Sequence, residues 1–209
     1  MIDWDSCVLW LDSKYFSESY WWDRSRYRND GVVHGAKWKA NAFYFDGVND
    51  YVDCGNNESL DLSVTDAFSI GAWVNAYSFP DLQTRIVCGK ENQVILDQMN
   101  GFWRIYFYGD NDTHNLTGSY AQTNVWVHLV GTYDAEEGIL KLYLNGEQDA
   151  TEDCNNDTID AAKFSNVHIG AKTVGFRPWH GMIAEVWIYN RALSEEEIKA
   201  IYNLTYRRI

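Results

Sequence analysis

Proline is almost missing from this chain, with 2 in 209 residues. No run rich in proline, glycine or serine marks a linker, and no internal repeat appears, so residues 1–209 read as a single domain. Positive charge is also scarce. Lys and Arg number 17 against 30 Asp and Glu, a formal net charge of −13. A surface that acidic repels phosphate backbones, which excludes nucleic acid as an expected partner. No stretch approaches the ~20 apolar residues of a bilayer-spanning helix, so no membrane insertion is expected. The opening Met1-Ile2-Asp3-Trp4-Asp5 has neither a basic region nor an apolar one and does not read as a signal peptide. Either the protein is cytosolic or the chain is a piece of a longer, exported protein, and an extracellular or surface-associated role is expected as part of such a longer protein. The four cysteines, Cys7, Cys54, Cys88 and Cys154, form no C-x-x-C pair, which argues against a zinc site. They permit two disulfides in three connectivities, or four buried thiols, and nothing selects among these.

What the sequence has in abundance is aromatic residues, 10 Trp, 14 Tyr and 9 Phe, arranged with a period of two. Phe68–Val74, Trp103–Tyr108 and Leu140–Leu144 alternate, and the last runs into Asn145-Gly146, a strong hairpin signal. Further strands are expected at Val8–Leu11, Ala42–Phe45, Tyr51–Cys54, Arg85–Cys88, Val94–Asp97, Val125–Tyr133, Val167–Ile169 and Met182–Tyr189. Asp110-Asn111-Asp112 reads as a hairpin tip. Many short strands separated by Gly, Asn and Asp predict an all-β sandwich. One helix is expected, opened by Leu193-Ser194-Glu195-Glu196-Glu197-Ile198. Ser194 and Glu197 form a capping box, Leu193 and Ile198 a hydrophobic staple, and Ile198, Ile201 and Tyr202 the buried stripe.

Several blocks in order resemble the laminin-G-like jelly roll of the concanavalin A-like lectin/glucanase superfamily. They are Phe45-Asp46-Gly47-Val48-Asn49-Asp50-Tyr51-Val52-Asp53, Phe68–Val74, Trp126–Asp134, Leu142–Gly146 and Gly181–Ser194. Val8–Leu11, Asp23-Arg24-Ser25 and Asn29-Asp30-Gly31 resemble the family's first strand and loop. The resemblance implies a concanavalin A-like, two-sheet antiparallel jelly-roll sandwich with a short C-terminal helix. It also implies one concave sheet and a first strand paired with the last. Such domains include lectins, adhesion modules, hydrolases and lyases, so function has to be argued from the site.

Hydrolases on this fold place paired carboxylates on one face of a strand. Neither Glu-x-Asp-x-Glu nor Glu-x-Asp-x-x-Glu falls on a strand expected here, and the Gln-x-His, Arg-rich and Tyr-rich blocks of the lyases are missing. His34, His114, His128, His168 and His180 show no metal spacing, and His128 reads as a half-buried packing residue. The chain is therefore expected to be no enzyme but a recognition module, binding a glycan or other cell-surface ligand, with an adhesive protein partner as the alternative. Five Asn-x-Ser/Thr sequons, at Asn57, Asn111, Asn115, Asn156 and Asn203, accord with export.

Two ligand faces are predicted. Arg104, Tyr106 and Tyr108 share the side of their strand opposite Trp103, Ile105 and Phe107, an amphipathic set suited to a concave wet surface. The loop Phe176-Arg177-Pro178-Trp179-His180 offers Arg177 and Trp179 together. A structural Ca²⁺ is expected at Asp46-Gly47-Val48-Asn49-Asp50, where Asp46, Asn49 and Asp50 supply side-chain oxygens. The resemblance brings this turn near the last strand, where an Asp-Glu pair is replaced by Ala184-Glu185, adding Glu185 to the donor set.

Overall fold

The computed structural model describes residues 3–79, 83–161, 165–172 and 175–206. Strands dominate it. One layer runs in the order β14 (Glu147–Asp153), β13 (Ile139–Leu144), β12 (Trp126–Asp134), β7 (Ala67–Ala76) and β16 (His180–Tyr189). The first half of β16 pairs with β5 (Ala42–Asp46), which carries β4 (Lys37–Lys39). Its second half pairs with β1 (Cys7–Phe16). Beyond β1 the hydrogen-bonded path turns into the second layer. That layer comprises β2 (Tyr20–Asp23), β3 (Gly31–His34), β6 (Tyr51–Asp53), β15 (Val167–Ile169), β8 (Arg85–Lys90), β9 (Val94–Met99), β10 (Phe102–Tyr108) and β11 (Thr113–Tyr120). All the pairings are antiparallel, and first pairs with last as expected.

The two layers meet face to face. Phe68 of β7 and Tyr133 of β12 pack against Phe107 of β10, with ring centroids 6.0 and 4.3 Å away. A Cβ at Gly131 would lie 2.6 Å from Ile105, so only glycine lets β12 approach β10 this closely. Leu9, Phe43, Phe45, Ile70, Leu96 and Leu129 fill the same core, each large apolar side chain contributing ~1.5–3 kcal/mol by burial. The β13–β14 hairpin turns through Asn145 and Gly146 at φ of 53° and 83°, the left-handed pair that a tight hairpin requires. The tip at residues 110–112 joins β10 to β11.

Helix α1 (Glu195–Tyr206) closes the outer side of the first layer. Glu197 N donates to Ser194 Oγ at 3.3 Å, and Ser194 N donates to Glu197 Oε2 at 3.0 Å, completing the capping box. Leu193 and Ile198 are buried in one cluster, as a staple requires. Arg191 adds a two-pronged ion pair to Glu197 at 2.8 and 2.7 Å. Ile201 is buried, while Tyr202 is half-buried and stacks on Trp73. Trp73 in turn donates its indole N–H to Thr205 Oγ1 at 2.7 Å. Beneath the helix lies His128. It is fully buried, not half-buried, among Trp73, Trp187 and Tyr202. All four cysteines are buried and free.

Candidate functional site

The two predicted ligand faces converge in part. Arg104, Tyr106 and Tyr108 do point away from the core, beside Ile86 and Ile95. They form no open platform, however. Tyr106 is 5% exposed, and Arg104 is held by Asp97 and by Asn115 Oδ1. The Arg104–Asp97 pair is two-pronged, with Nε to Oδ1 at 2.9 Å. Burial pushes the Asp97 carboxyl up to about 6, against the pull of Arg104 and Arg177. Burial also raises the Tyr106 phenol. Ile86, which packs with Tyr106, donates its backbone N–H to Arg177 O at 3.1 Å, so the 176–178 loop borders this face. The Arg177 guanidinium lies 5.2 Å over the exposed Phe176 ring, beside a cleft that Gln83 and Thr84 also line.

Trp179 corrects the prediction. It is 1% exposed and stacks on Trp103 with centroids 6.2 Å apart, so its ring fills the core and offers no face to a ligand. The residue follows Pro178 inward because its backbone N–H donates to Gly170 at 2.7 Å, which turns the ring between the layers.

The expected calcium donors are not assembled as a set. Asp46 pairs with His180, at the start of β16. Glu185 lies five residues further along, about 17 Å at strand rise. Within the turn, Asp50 Oδ2 accepts from Asp46 N at 2.9 Å, and Asp46 Oδ1 accepts from Val48 N at 2.8 Å. These are bonds of an Asx-rich turn. Asp46, Asn49 and Asp50 alone fall short of the 6–8 oxygens calcium takes.

Glu185 instead anchors an aromatic surface that sequence reasoning missed. It pairs with Asp12 across β1 and β16, and its Oε1 accepts from the Trp10 indole N–H at 2.6 Å. Arg24 lies 4.8 Å over the Trp10 ring and 3.9 Å over the Tyr15 ring, with Asp12 3.8 Å away. Trp4 stacks on Trp10 with centroids 4.5 Å apart. Trp4, Asp5, Trp10, Arg24, Ser25 and Arg26 line a shallow cleft. On β2, Tyr20 and Trp22 stack at 4.9 Å and are 40% and 39% exposed, alternating with the buried Trp21 and Asp23. Tyr20, Trp22 and Arg24 thus continue one outward row.

The buried Asp23 carboxylate sets up this row. Oδ1 accepts from Trp10 N and Ser25 N, both at 2.8 Å. Oδ2 accepts from Ser25 Oγ at 2.6 Å and Asn29 N at 2.7 Å. Asn29 Nδ2 donates to Val8 O at 2.7 Å. Asp23-Arg24-Ser25 and Asn29-Asp30-Gly31 are therefore the frame that holds Arg24 between two rings. The signal for the surface was available in the sequence as Tyr20-x-Trp22-x-Arg24, a period-two set on one face.

Comparisons with known proteins agree with this architecture. The family model described as the concanavalin A-like lectin/glucanases superfamily matches residues 46–199. Among curated proteins no sequence matches. Among solved structures, the receptor-binding domain of botulinum neurotoxin C/D mosaic serotype is similar at TM-score 0.77 and 20% identity, over 96% of this chain and 52% of that one. The binding domain of Paraclostridial Mosquitocidal Protein 1 is similar at TM-score 0.79 and 16% identity, over 97% and 53%. The botulinum neurotoxin serotype D ligand-binding domain, solved with N-acetylneuraminic acid, is similar at TM-score 0.75 and 18% identity, over 96% and 51%. The chain spans about half the length of each.

Proposed function

Because the chain belongs to the concanavalin A-like lectin/glucanase superfamily, we propose that it is a non-catalytic recognition module that binds glycans as part of a longer surface, secreted or virion protein. The observation that carries this reading is the exposed aromatic row of Tyr20 and Trp22, continued by Arg24 between the rings of Trp10 and Tyr15. Flat rings stack on the apolar faces of sugars, and a guanidinium held between rings keeps donors available for hydroxyls or carboxylates. The serotype D relative solved with N-acetylneuraminic acid supports the glycan reading through shared fold only.

The carboxylates nearest the row support a binding role over a catalytic one. Asp12 accepts from Lys14 N and pairs with Arg24, while Glu185 holds the Trp10 indole. Both are engaged in positioning the surface. Among the described residues no helix is long and apolar enough to cross a membrane.

A module with one or two stacking rings binds weakly. A dissociation constant near ~1 mM corresponds to ~4 kcal/mol, so useful avidity needs multivalent display. The test is a glycan array probed with the domain clustered on beads, then calorimetry on the hits. Binding that Trp22→Ala or Arg24→Ala abolishes and Tyr106→Ala leaves intact supports the row. The reverse pattern moves the site to the Arg104 face. Capture of a specific protein with no glycan binding makes the domain an adhesive module. Accumulating reducing ends would make it an enzyme, with Glu185 the first residue to substitute.

A further inference from the structure

Far from the aromatic row, His114, Glu152 and Cys154 converge where the two sheets end. One ring nitrogen of His114, a Glu152 carboxylate oxygen and Cys154 Sγ all lie within 4.8 Å of one another. His114 belongs to β11 and Glu152 to β14, the two strands that terminate the hydrogen-bonded path, and Cys154 directly follows β14. His114 and Cys154 are buried, and Glu152 is half-buried at the mouth.

The His114 ring is already oriented. Its Nε2 lies 3.0 Å from Asp157 Oδ2, while Nδ1 faces Glu152 Oε1 at 3.7 Å. Asp157 also accepts from Asn111 Nδ2 at 2.6 Å, Asn111 N at 3.2 Å and Asp112 N at 3.1 Å. The three other donors that converge on the Asp157 carboxylate mark it as an acceptor, so Nε2 carries the proton and the Nδ1 lone pair faces Glu152. A histidine whose far nitrogen donates to a carboxylate, with the near one facing further donors, is the usual arrangement behind a metal-ligating imidazole.

We propose that His114 Nδ1, Glu152 and Cys154 Sγ form a binding site for a transition-metal cation of the Zn²⁺ class, clasping β11 to β14. One imidazole, one thiolate and one carboxylate suit borderline-soft Zn²⁺ and leave a fourth position for water. Zn–S near ~2.3 Å and Zn–N near ~2.0 Å put ligand atoms about 3.5 Å apart, so closure needs a movement of about 1 Å. The half-buried Glu152 supplies much of it. Binding displaces the Cys154 thiol proton, and the thiolate, the Glu152 carboxylate and the cation sum to no net charge. The edges already meet further along, where Ser119 N donates to Asp149 Oδ2 at 2.6 Å, so the metal would pin the second point of the same seam.

The test is a titration of metal-stripped protein with Co²⁺, under a non-thiol reductant, followed by absorbance. The expected result is one equivalent bound, with visible bands of a tetrahedral site and a near-ultraviolet sulfur-to-cobalt charge-transfer band, all displaced by Zn²⁺. Cys154→Ser should lose the charge-transfer band, and Glu152→Gln should weaken binding without disturbing the fold. Asp157→Asn should weaken it ~10–100-fold through the imidazole. Melting curves of each variant establish that it is folded. Failure to bind one equivalent, a spectrum without the sulfur band, or a band that survives in folded Cys154→Ser overturns the proposal.

Discussion

The indole N–H of Trp10 donates to Glu185 Oε1 at 2.6 Å, joining the first strand to the last beneath the aromatic row. A donor bonded to a buried carboxylate is worth ~1.5–3 kcal/mol, and removing one partner leaves the other unsatisfied. Glu185→Ala should therefore lower stability by about that much in urea titrations. Glu185→Gln, which keeps an acceptor, should cost less. The same variants should weaken ligand capture by the row, because Trp10, the ring over which Arg24 lies, loses its acceptor. Unchanged stability and unchanged capture in Glu185→Ala would remove the residue from this role.

His128 sets an acid limb of stability. Burial lowers its pKa to about 3, from 6.5 for a free imidazole. Between those values the unfolded chain binds a proton that the folded chain does not, so stability falls as pH drops from 6.5 toward 3. The expected loss is on the order of a few kcal/mol. His128→Phe, which suits a cage of Trp73, Trp187 and Tyr202, should flatten that part of the pH profile. A variant with the same slope as the parent would count against it.

The helix cap has a modest and specific value. Ser194→Ala should destabilise by ~1 kcal/mol in thermal melts. Glu197→Ala should cost more, since it removes both the return bond to Ser194 and the pair with Arg191. Equal losses would mean the Arg191 pair contributes nothing.

The Asp46 turn decides the calcium question. With Glu185 about 17 Å along the strand, the expected outcome is a melting temperature that does not move when Ca²⁺ is added to metal-stripped protein. A rise with Ca²⁺ that Asp46→Ala and Asp50→Ala abolish would place the ion at the turn. At ~100 times its dissociation constant, an ion held there would add ~2.7 kcal/mol.

Much of the fold was legible because its signals are local. Alternation located β7, β10 and β13, Asn145-Gly146 located a turn, and Ser194 with Glu197 located a helix start. Strands with weaker alternation escaped. In β2 aromatic residues fall on both faces, so only the longer set Tyr20-x-Trp22-x-Arg24 marks the outward one, and β14, which carries Glu147-x-Asp149-x-x-Glu152, is polar along most of its length. The candidate sites were less legible. Tyr106 and Trp179 read as exposed recognition residues, and both are covered.

By itself the sequence determined the period-two strands, the turns, the cap and, through ordered blocks, the family. These depend on residues a few positions apart. Only the tertiary structure decided that Trp179 faces inward while Trp22 faces outward, because exposure depends on what the other layer and the loops place above a ring. It also decided that Glu185 meets Trp10 across 175 residues and that His114 meets Cys154 at the seam. Contacts of that kind arise from strand register and sheet closure, which bring distant residues together and which spacing along the chain does not encode.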